Sequence, residues 1–405
     1  MSRLAAYLQH LQRFGIRPGL ERIVALLESV GNPHREYPHL LVGGTNGKGS
    51  TCEFAARLLA RDGRRIGLYT SPHLYEWNER IRVLPGAGLF EGAISDDELD
   101  ALFDDGLPHI ERVARDLCQP TEFEVLTFLG LWHFARQHVD AAVLEVGLGG
   151  KWDATNASDP LVSVVTHVAM DHMDRLGDTL ELIAADKVCI ARAGRPFVTG
   201  EWKENVLSVL RAHCEEVGAP FHHVAPSGTM RKLGKKLDFQ RFNLRIASRA
   251  TRLFCEELGW TAPAGELDSL EVPGRLETVA HNPRVLIDGA NNPDGAESLK
   301  LAFLLKPDLQ PDKLILVLGI LADKQWREMT QTLAPLAKVV ICCQSDSPRA
   351  LDANELGEFA RTLHPNVEVV PDVRLAVARA RELASPDDTI LVTGSFTTIA
   401  QVPRG

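Results

Sequence analysis

The 405-residue chain is 45% apolar and 24% charged, with a formal net charge of −10. Those proportions are ordinary for a soluble globular protein of two or three domains. The acidic balance, with no run of basic residues, excludes broad nucleic-acid binding. An anionic ligand would have to be held by local Lys, Arg, Mg²⁺ and helix ends, against the global field. The seven cysteines are odd in number, scattered and without a C-x-x-C pair, which argues against a disulfide framework and a zinc site. The first twenty residues lack a signal-peptide core, and no apolar stretch is long enough to span a bilayer. A cytoplasmic location without membrane association is therefore expected.

Residues 1–30 read as two helices, with Leu4, Tyr7, Leu8 and Leu11 on one face and Ile23, Leu26 and Leu27 on another. His39-Leu40-Leu41-Val42 then reads as a buried strand, followed by Gly43-Gly44-Thr45-Asn46-Gly47-Lys48-Gly49-Ser50-Thr51. Phe54, Leu58 and Leu59 recur at helical spacing until Asp62-Gly63. In a strand–glycine turn–helix, backbone N–H groups at the helix start can surround phosphate oxygens. Lys48 supplies a point charge, and Ser50 or Thr51 a hydroxyl for Mg²⁺. The fit to G-x-x-x-x-G-K-[ST] is imperfect: Val42 stands where the first glycine belongs, and Gly49 separates Lys48 from Ser50. The competing reading is a plain glycine turn, which leaves the lysine and hydroxyls unexplained.

Arg65–Thr70 looks like a second strand running into Ser71-Pro72, where Ser71 can be a metal ligand or simply a turn former. Thr121 and Phe123-Glu124 precede a long helical stretch through His138. Ala141–Val146 reads as a central strand that contains Glu145 and runs into Gly147, Gly149 and Gly150. A carboxylate in an apolar strand needs a basic partner or a cation, because burying it unpaired is costly. The glycine-rich loop beyond it favours Mg²⁺. Leu161–Val168 is another buried strand, followed by Asp171-His172, and His172 can be a metal ligand or a polar cap. A helix from about Asp178 carries Asp186-Lys187, where a lysine is ordinarily solvated. Phe197–Gly200 and a 204–216 helix extend the alternation, predicting a mostly parallel sheet covered on both faces.

Residues 225–238 read as a polar loop or short hairpin, and a helix from Gln240 carries Asn243. The stretch from Ala262 to Gly274 is the candidate linker, which places domains at 1–271 and 272–405. From Arg284 a new series of five strands begins: 285–288, 314–318, 339–342, 367–370 and 390–392. It predicts a smaller Rossmann-like domain with Cys342-Cys343 as buried thiols in a strand. No G-x-G-x-x-G is present, so a dinucleotide site is not expected there.

Several of these stretches together resemble the Mur ligase superfamily, specifically folylpolyglutamate synthase/dihydrofolate synthase. They are Gly44–Thr51, Thr70-Ser71-Pro72-His73, Asn78-Glu79-Arg80-Ile81, Glu145–Gly150, Asp171-His172 with Leu176-Gly177, and Asp186-Lys187. Pro273–Glu277, Asp288-Gly289-Ala290, Gly319–Lys324 and Thr393-Gly394-Ser395 follow in family order. The resemblance implies a P-loop Mur-ligase-type central domain, with a mostly parallel sheet, and a smaller C-terminal Rossmann-like α/β domain. It also implies ATP-dependent amide ligation, in which a folate or dihydropteroate carboxylate takes the γ-phosphate and L-glutamate then displaces phosphate. Carried over by position, Gly44, Thr45, Asn46, Gly47, Lys48, Gly49, Ser50 and Thr51 hold the ATP phosphates. Asn243 contacts adenine, while Arg275 and Asp288 close over ATP. Ser71 and Glu145 match ligands of one Mg²⁺, and His172 a ligand of a second. Lys187 matches a lysine that is carbamylated in the family, and Lys48, His172, Lys187 and Arg275 take the catalytic roles. Asn291, Asp323, Lys324 and Ser395 fall where the family handles glutamate and its acyl-phosphate partner. The family is commonly monomeric.

Three departures stand out. Asn291 replaces the histidine of D-G-A-H-N-P, Phe239-Gln240 replaces H-Q, and the 200–240 segment is short. Asn291 can hydrogen-bond but cannot carry a positive charge. The alternatives are a related Mur-type ligase acting on another carboxylate, a non-ligase P-loop regulatory ATPase, and an inactive homologue used for binding. A guanine-reading N-K-x-D is missing, and a switch protein would leave the second domain unexplained.

Overall fold

A computed structural model describes residues 3–12, 15, 17–226, 239–263, 267, 271–305, 309 and 311–404. The expected hairpin beyond residue 226 and part of the expected linker lie outside them. Two compact units separate, one holding residues up to Pro226 with 240–270, the other the chain from Glu271 onward.

The first unit is built on a seven-stranded sheet. Its centre is β1 (His39–Gly43), flanked in parallel by β4 (Ala141–Glu145) and β5 (Val162–Val165). Every residue of these three strands is buried, as a near-continuous apolar run in a parallel sheet requires. Beyond β4 lie β2 (Ile66–Tyr69) and the antiparallel β3 (Ile81–Leu84); beyond β5 lie β6 (Phe197–Thr199) and β7 (Phe221–His223). The chain leaves β1 toward one side for β2 and later enters β5 on the other. The carboxyl end of β1 is therefore the point where strand order reverses, and open α/β sheets carry their ligand crevice there.

Two expectations are corrected locally, and two strands are added. β5 stops at Val165 rather than Val168, because the next residues turn toward the glycine loop: Thr45 N donates to His167 O at 2.6 Å. Phe123 and Glu124 lie inside helix α5 (Glu122–Arg136), not before it. Its N-cap is Thr121, whose hydroxyl and amide exchange hydrogen bonds with Glu124 in a capping box. The edge strands β3 and β7 escaped the sequence reading, because Arg82 and His222-His223 interrupt their apolar runs.

The helices α1 (Arg3–Gln12) and α2 (Glu21–Ser29) bury the leucine and isoleucine faces read from the sequence. Helix α3 (Lys48–Ala60) leaves the glycine loop and is fastened by Glu53, buried between Arg82 of β3 and Arg57. Removing one member of such a pair would strand a buried charge at a cost of about 3–5 kcal/mol.

Buried histidines give this unit an acid limit. Burial holds His39, at the start of β1, down to about 4, with the Tyr37 backbone opposing the shift. Burial also holds His34 and His133 to about 4 and His73 to about 3. In the unfolded chain each ring takes a proton near 6.5, so stability is full above that pH and falls as pH drops toward 4. For His39 the loss below pH 4 is on the order of 3 kcal/mol. Melting temperature should fall steeply between pH 6.5 and 4, and His39→Phe should shallow that slope. A melting temperature flat across this range would contradict the assignment.

The second unit carries a six-stranded sheet. Its order is β12 (Val367–Asp372), β11 (Val339–Gln344), β10 (Leu314–Leu318), β13 (Thr389–Thr393), β9 (Arg284–Asp288), β8 (Glu277–His281). Only β8 runs antiparallel. β13 inserts between β9 and β10, so the carboxyl ends of those three strands mark this sheet's own reversal point. Cys342 and Cys343 are buried in β11, and all seven cysteines are free thiols.

Candidate active site

The glycine loop joins β1 to α3 with Gly47 as N-cap at φ 83°, a conformation a side chain disfavours. A Cβ there would also sit 2.6 Å from Oδ1 of Asn243, so glycine is required for Asn243 to approach. Asn243 projects from helix α9 (Phe239–Leu258) and is buried against the loop. The structure thereby brings the expected adenine contact to the expected phosphate loop, nearly 200 positions away in the chain.

Lys48 opens α3 and folds back over the loop, its Nζ donating to Gly44 O and Thr45 O, each at 3.1 Å. Nζ of Lys187 donates to the same Gly44 oxygen at 3.0 Å. Lys187 ends helix α7 (Leu180–Lys187) and is 4% exposed, so it is not a solvated face residue. Burial, and then the positive charge of Lys48, lower its pKa to about 7; Asp186, Asp171 and Asp153 pull the other way. The Lys48 ammonium over this loop forms a focus of positive potential that suits a polyanion.

Gly150 explains how Lys187 gets there. A Cβ on Gly150 would meet the Lys187 carbonyl oxygen at 2.7 Å and that of Asp186 at 2.8 Å. The glycine-rich turn after β4 therefore lets the end of α7 press against it. Asp153 ties that turn down, accepting from the amides of Leu148 and Thr155.

Glu145 ends β4, in register with Val42 beside the loop. It is 4% exposed; its Oε2 accepts the Ser71 amide at 3.0 Å and lies 3.5 Å from a Cβ placed on Gly49. Lys48, Gly49, Ser71, Glu145 and Lys187 thus converge on the carboxyl end of the sheet. A buried carboxylate beside a serine is a hard-oxygen donor set, which fits Mg²⁺ or Mn²⁺. In the first turn of α3, Thr51 is fully buried and its hydroxyl has no hydrogen-bond partner among the described residues. Among the described residues no three His, Cys, Asp or Glu side chains cluster as a self-sufficient metal site. A cation there would need the ligand's own oxygens to complete its shell.

His172 occupies the N-cap of the short α6 (Met173–Leu176) at φ 51°, yet its side chain makes no capping hydrogen bond. The polar-cap reading is thus not what the structure shows. It lies three residues beyond Ala169, whose amide donates to Thr45 Oγ1 at 3.1 Å.

In the second unit, Arg275, Asp288, Asn291, Asp323, Lys324 and Ser395 all follow or flank the carboxyl ends of β9, β10 and β13. Asp288 receives the amides of Leu276 and Ala290; burial raises its pKa, opposed by Arg275 and those amides. Arg275 lies over the Phe396 ring, 4.8 Å from its centroid. Ser395 caps α14 (Phe396–Ile399), accepting from Thr398 N at 3.0 Å, while the Thr398 hydroxyl donates to Gly319 O. Asp323 pairs with Arg349. Burial resists the charge on Asp323, and Arg349 outweighs it and holds the pKa low. Arg349 escaped the sequence reading, as did Thr166, whose hydroxyl donates to Asn46 O at 2.7 Å, and Glu201. The one signal for Glu201 was a carboxylate directly after a strand and glycine.

Comparison with known proteins places this geometry in a family. Residues 274–396 match the family model described as Mur ligase, glutamate ligase domain. The chain is 36% identical to the probable bifunctional folylpolyglutamate synthase/dihydropteroate synthase of Haloferax volcanii, covering 98% of this chain and 49% of that protein. It thus spans about half of that relative's length. It is 32% identical to the dihydrofolate synthase/folylpolyglutamate synthase of Bacillus subtilis, covering 97% of this chain and 96% of that one. A bifunctional folylpolyglutamate synthase/dihydrofolate synthase from Yersinia pestis, solved with AMPPNP and Mn ion, superposes with a TM-score of 0.81 at 28% identity. That match covers 99% of this chain and 97% of the Yersinia chain. With its phosphate loop, buried carboxylate and glutamate-ligase domain, the chain belongs to the dihydrofolate synthase/folylpolyglutamate synthase family of ATP- and divalent-metal-dependent Mur ligases.

Proposed function

We propose that the protein joins L-glutamate to dihydropteroate, to (tetrahydro)folyl-polyglutamates, or to both, through an acyl phosphate. The observation that carries this reading is the convergence of Lys48, Lys187, Ser71 and Glu145 on one phosphate-type loop. The acceptor carboxylate attacks the γ-phosphorus and ADP departs. The glutamate amine then adds to the acyl carbon, loses a proton and expels phosphate. Phosphoryl transfer of this kind is mostly positioning and charge stabilisation.

Lys48 and the amides of residues 44–51 bind and orient the phosphates at the start of α3, and Asn243 holds the base. Ser71, Glu145 and His172 would hold Mg²⁺, which when bound offsets the negative charge of the phosphate oxygens. Lys187, carbamylated, is the further catalytic group of this loop. On the second unit, Arg275 and Asp288 serve ATP, and Asn291, Asp323, Lys324 and Ser395 serve glutamate. The enzyme acts as a monomer, as the resemblance to its family implies, in the cytoplasm, where its seven free thiols would stay reduced. Among the described residues no helix is long and apolar enough to cross a membrane.

The test is phosphate release from ATP, with each pterin acceptor assayed separately. It should require both L-glutamate and dihydropteroate or tetrahydrofolate; release independent of every pterin would overturn the reading. At Asn291 the amide keeps a hydrogen-bonding group without the charge. Asn291→His should therefore run at a comparable or higher rate, within about tenfold of the parent. Parent protein that is inactive with every acceptor would end that expectation.

A further inference from the structure

We propose that Glu201 is a positioning residue for the nucleotide loop, acting through a strap formed by His167-Val168-Ala169. The inference rests on the phosphate-loop reading above. Glu201 follows β6 and is completely buried. Its Oε2 accepts the Val168 amide at 2.8 Å, and its Oε1 accepts the amides of Trp202 at 2.8 Å and Lys203 at 2.9 Å. Lys203 Nζ donates to the Val168 carbonyl at 2.9 Å. Both backbone polar groups of Val168 are thus fixed by the chain after β6.

The residues on either side of Val168 hold the loop. His167 O accepts the Thr45 amide at 2.6 Å. Ala169 donates its amide to Thr45 Oγ1 at 3.1 Å, and its carbonyl accepts from the same hydroxyl at 3.2 Å. Thr45 is therefore bound by three hydrogen bonds to a strap whose central residue is clamped from behind. The His167 ring stacks on Trp202 at 4.0 Å with 8° between planes, and its Nδ1 lies 3.3 Å from Glu201 Oε2. Trp202 in turn meets Phe242, the neighbour of Asn243.

A buried carboxylate needs a reason to stay charged, because desolvation opposes it. Here burial is outweighed by His167, Lys203 and the amides, which hold Glu201 down to about 2. The charge is spent on organising backbone, as second-layer groups do behind metal ligands and phosphate clamps. Its carboxylate bonds the strap and the chain after β6, so its hydrogen-bonded route to the phosphate loop runs through Thr45.

ADP affinity measured by calorimetry with Mg²⁺ present tests this on Glu201→Gln, Thr45→Val and the double variant. Each single change should weaken ADP binding by about tenfold, and the double by little more than the worse single, because both cut one chain of contacts. In Glu201→Gln, KM for ATP should rise in parallel while kcat changes less than about threefold. Lys203→Met, which leaves the buried carboxylate in place, should shift ADP affinity in the same direction by about threefold and covers the case in which Glu201→Gln does not fold. Multiplicative effects in the double variant, or unchanged affinity in folded Glu201→Gln and Lys203→Met, would overturn the strap alone. Parent protein that binds no ADP would overturn the loop's assignment and the strap with it.

Discussion

Lys48→Ala should lower turnover by at least about 10²–10³-fold, measured as pterin- and glutamate-dependent phosphate release, with the folded state intact. The side chain stands at the first residue of α3 and already points its ammonium into the loop, onto Gly44 O and Thr45 O. Those carbonyls hold it where a phosphate oxygen would compete for it, and an ion–phosphate contact is stronger than a bond to a neutral carbonyl. Alanine removes the charge without disturbing the helix, since it is the best helix former. Lys48→Arg keeps the charge but changes its shape and should retain only part of the activity. Near-parental turnover in Lys48→Ala would refute the loop's role in phosphate binding.

The second large effect concerns Lys187. Carbamylation needs the neutral amine: nitrogen attacks carbon dioxide, an N–C bond forms and one proton leaves. An exposed lysine is almost wholly protonated at neutral pH, but burial and the nearby charge of Lys48 bring this one to about 7. Enzyme stripped of carbon dioxide should lose most of its activity, and recovery at a fixed concentration of dissolved carbon dioxide should accelerate from pH 6 to pH 8 as the amine is freed. Carbon-13 bicarbonate should give a carbamate resonance that Lys187→Ala lacks, and this variant should fall by about 10²-fold or more. A crystal of active, bicarbonate-supplied enzyme showing a bare ammonium at Lys187 would count against the modification. Because Lys48 is the second cause of the low pKa, Lys48→Ala should also raise it and slow carbamylation. That coupling is a readout independent of turnover.

The chain's own pattern determined the fold class and the phosphate-type loop. A run such as His39-Leu40-Leu41-Val42, bounded by Pro38 and a glycine turn, reads as a buried strand, and glycines followed by Lys48 and two hydroxyls mark the helix start. A carboxylate inside the apolar run of β4 announced itself by its cost. These signals are local, and local patterns survive in a linear reading. What only the tertiary structure decided is who approaches whom. Lys187 looked like a solvated helix residue until Gly150, far earlier in the chain, let it sink beneath the loop. Arg349 carried no pattern and Glu201 only its place after a strand and glycine, because their partners, Asp323 and Val168, lie across strand connections. Whether a charge is buried, paired or free depends on packing between elements distant in sequence, and spacing along one element holds no record of that.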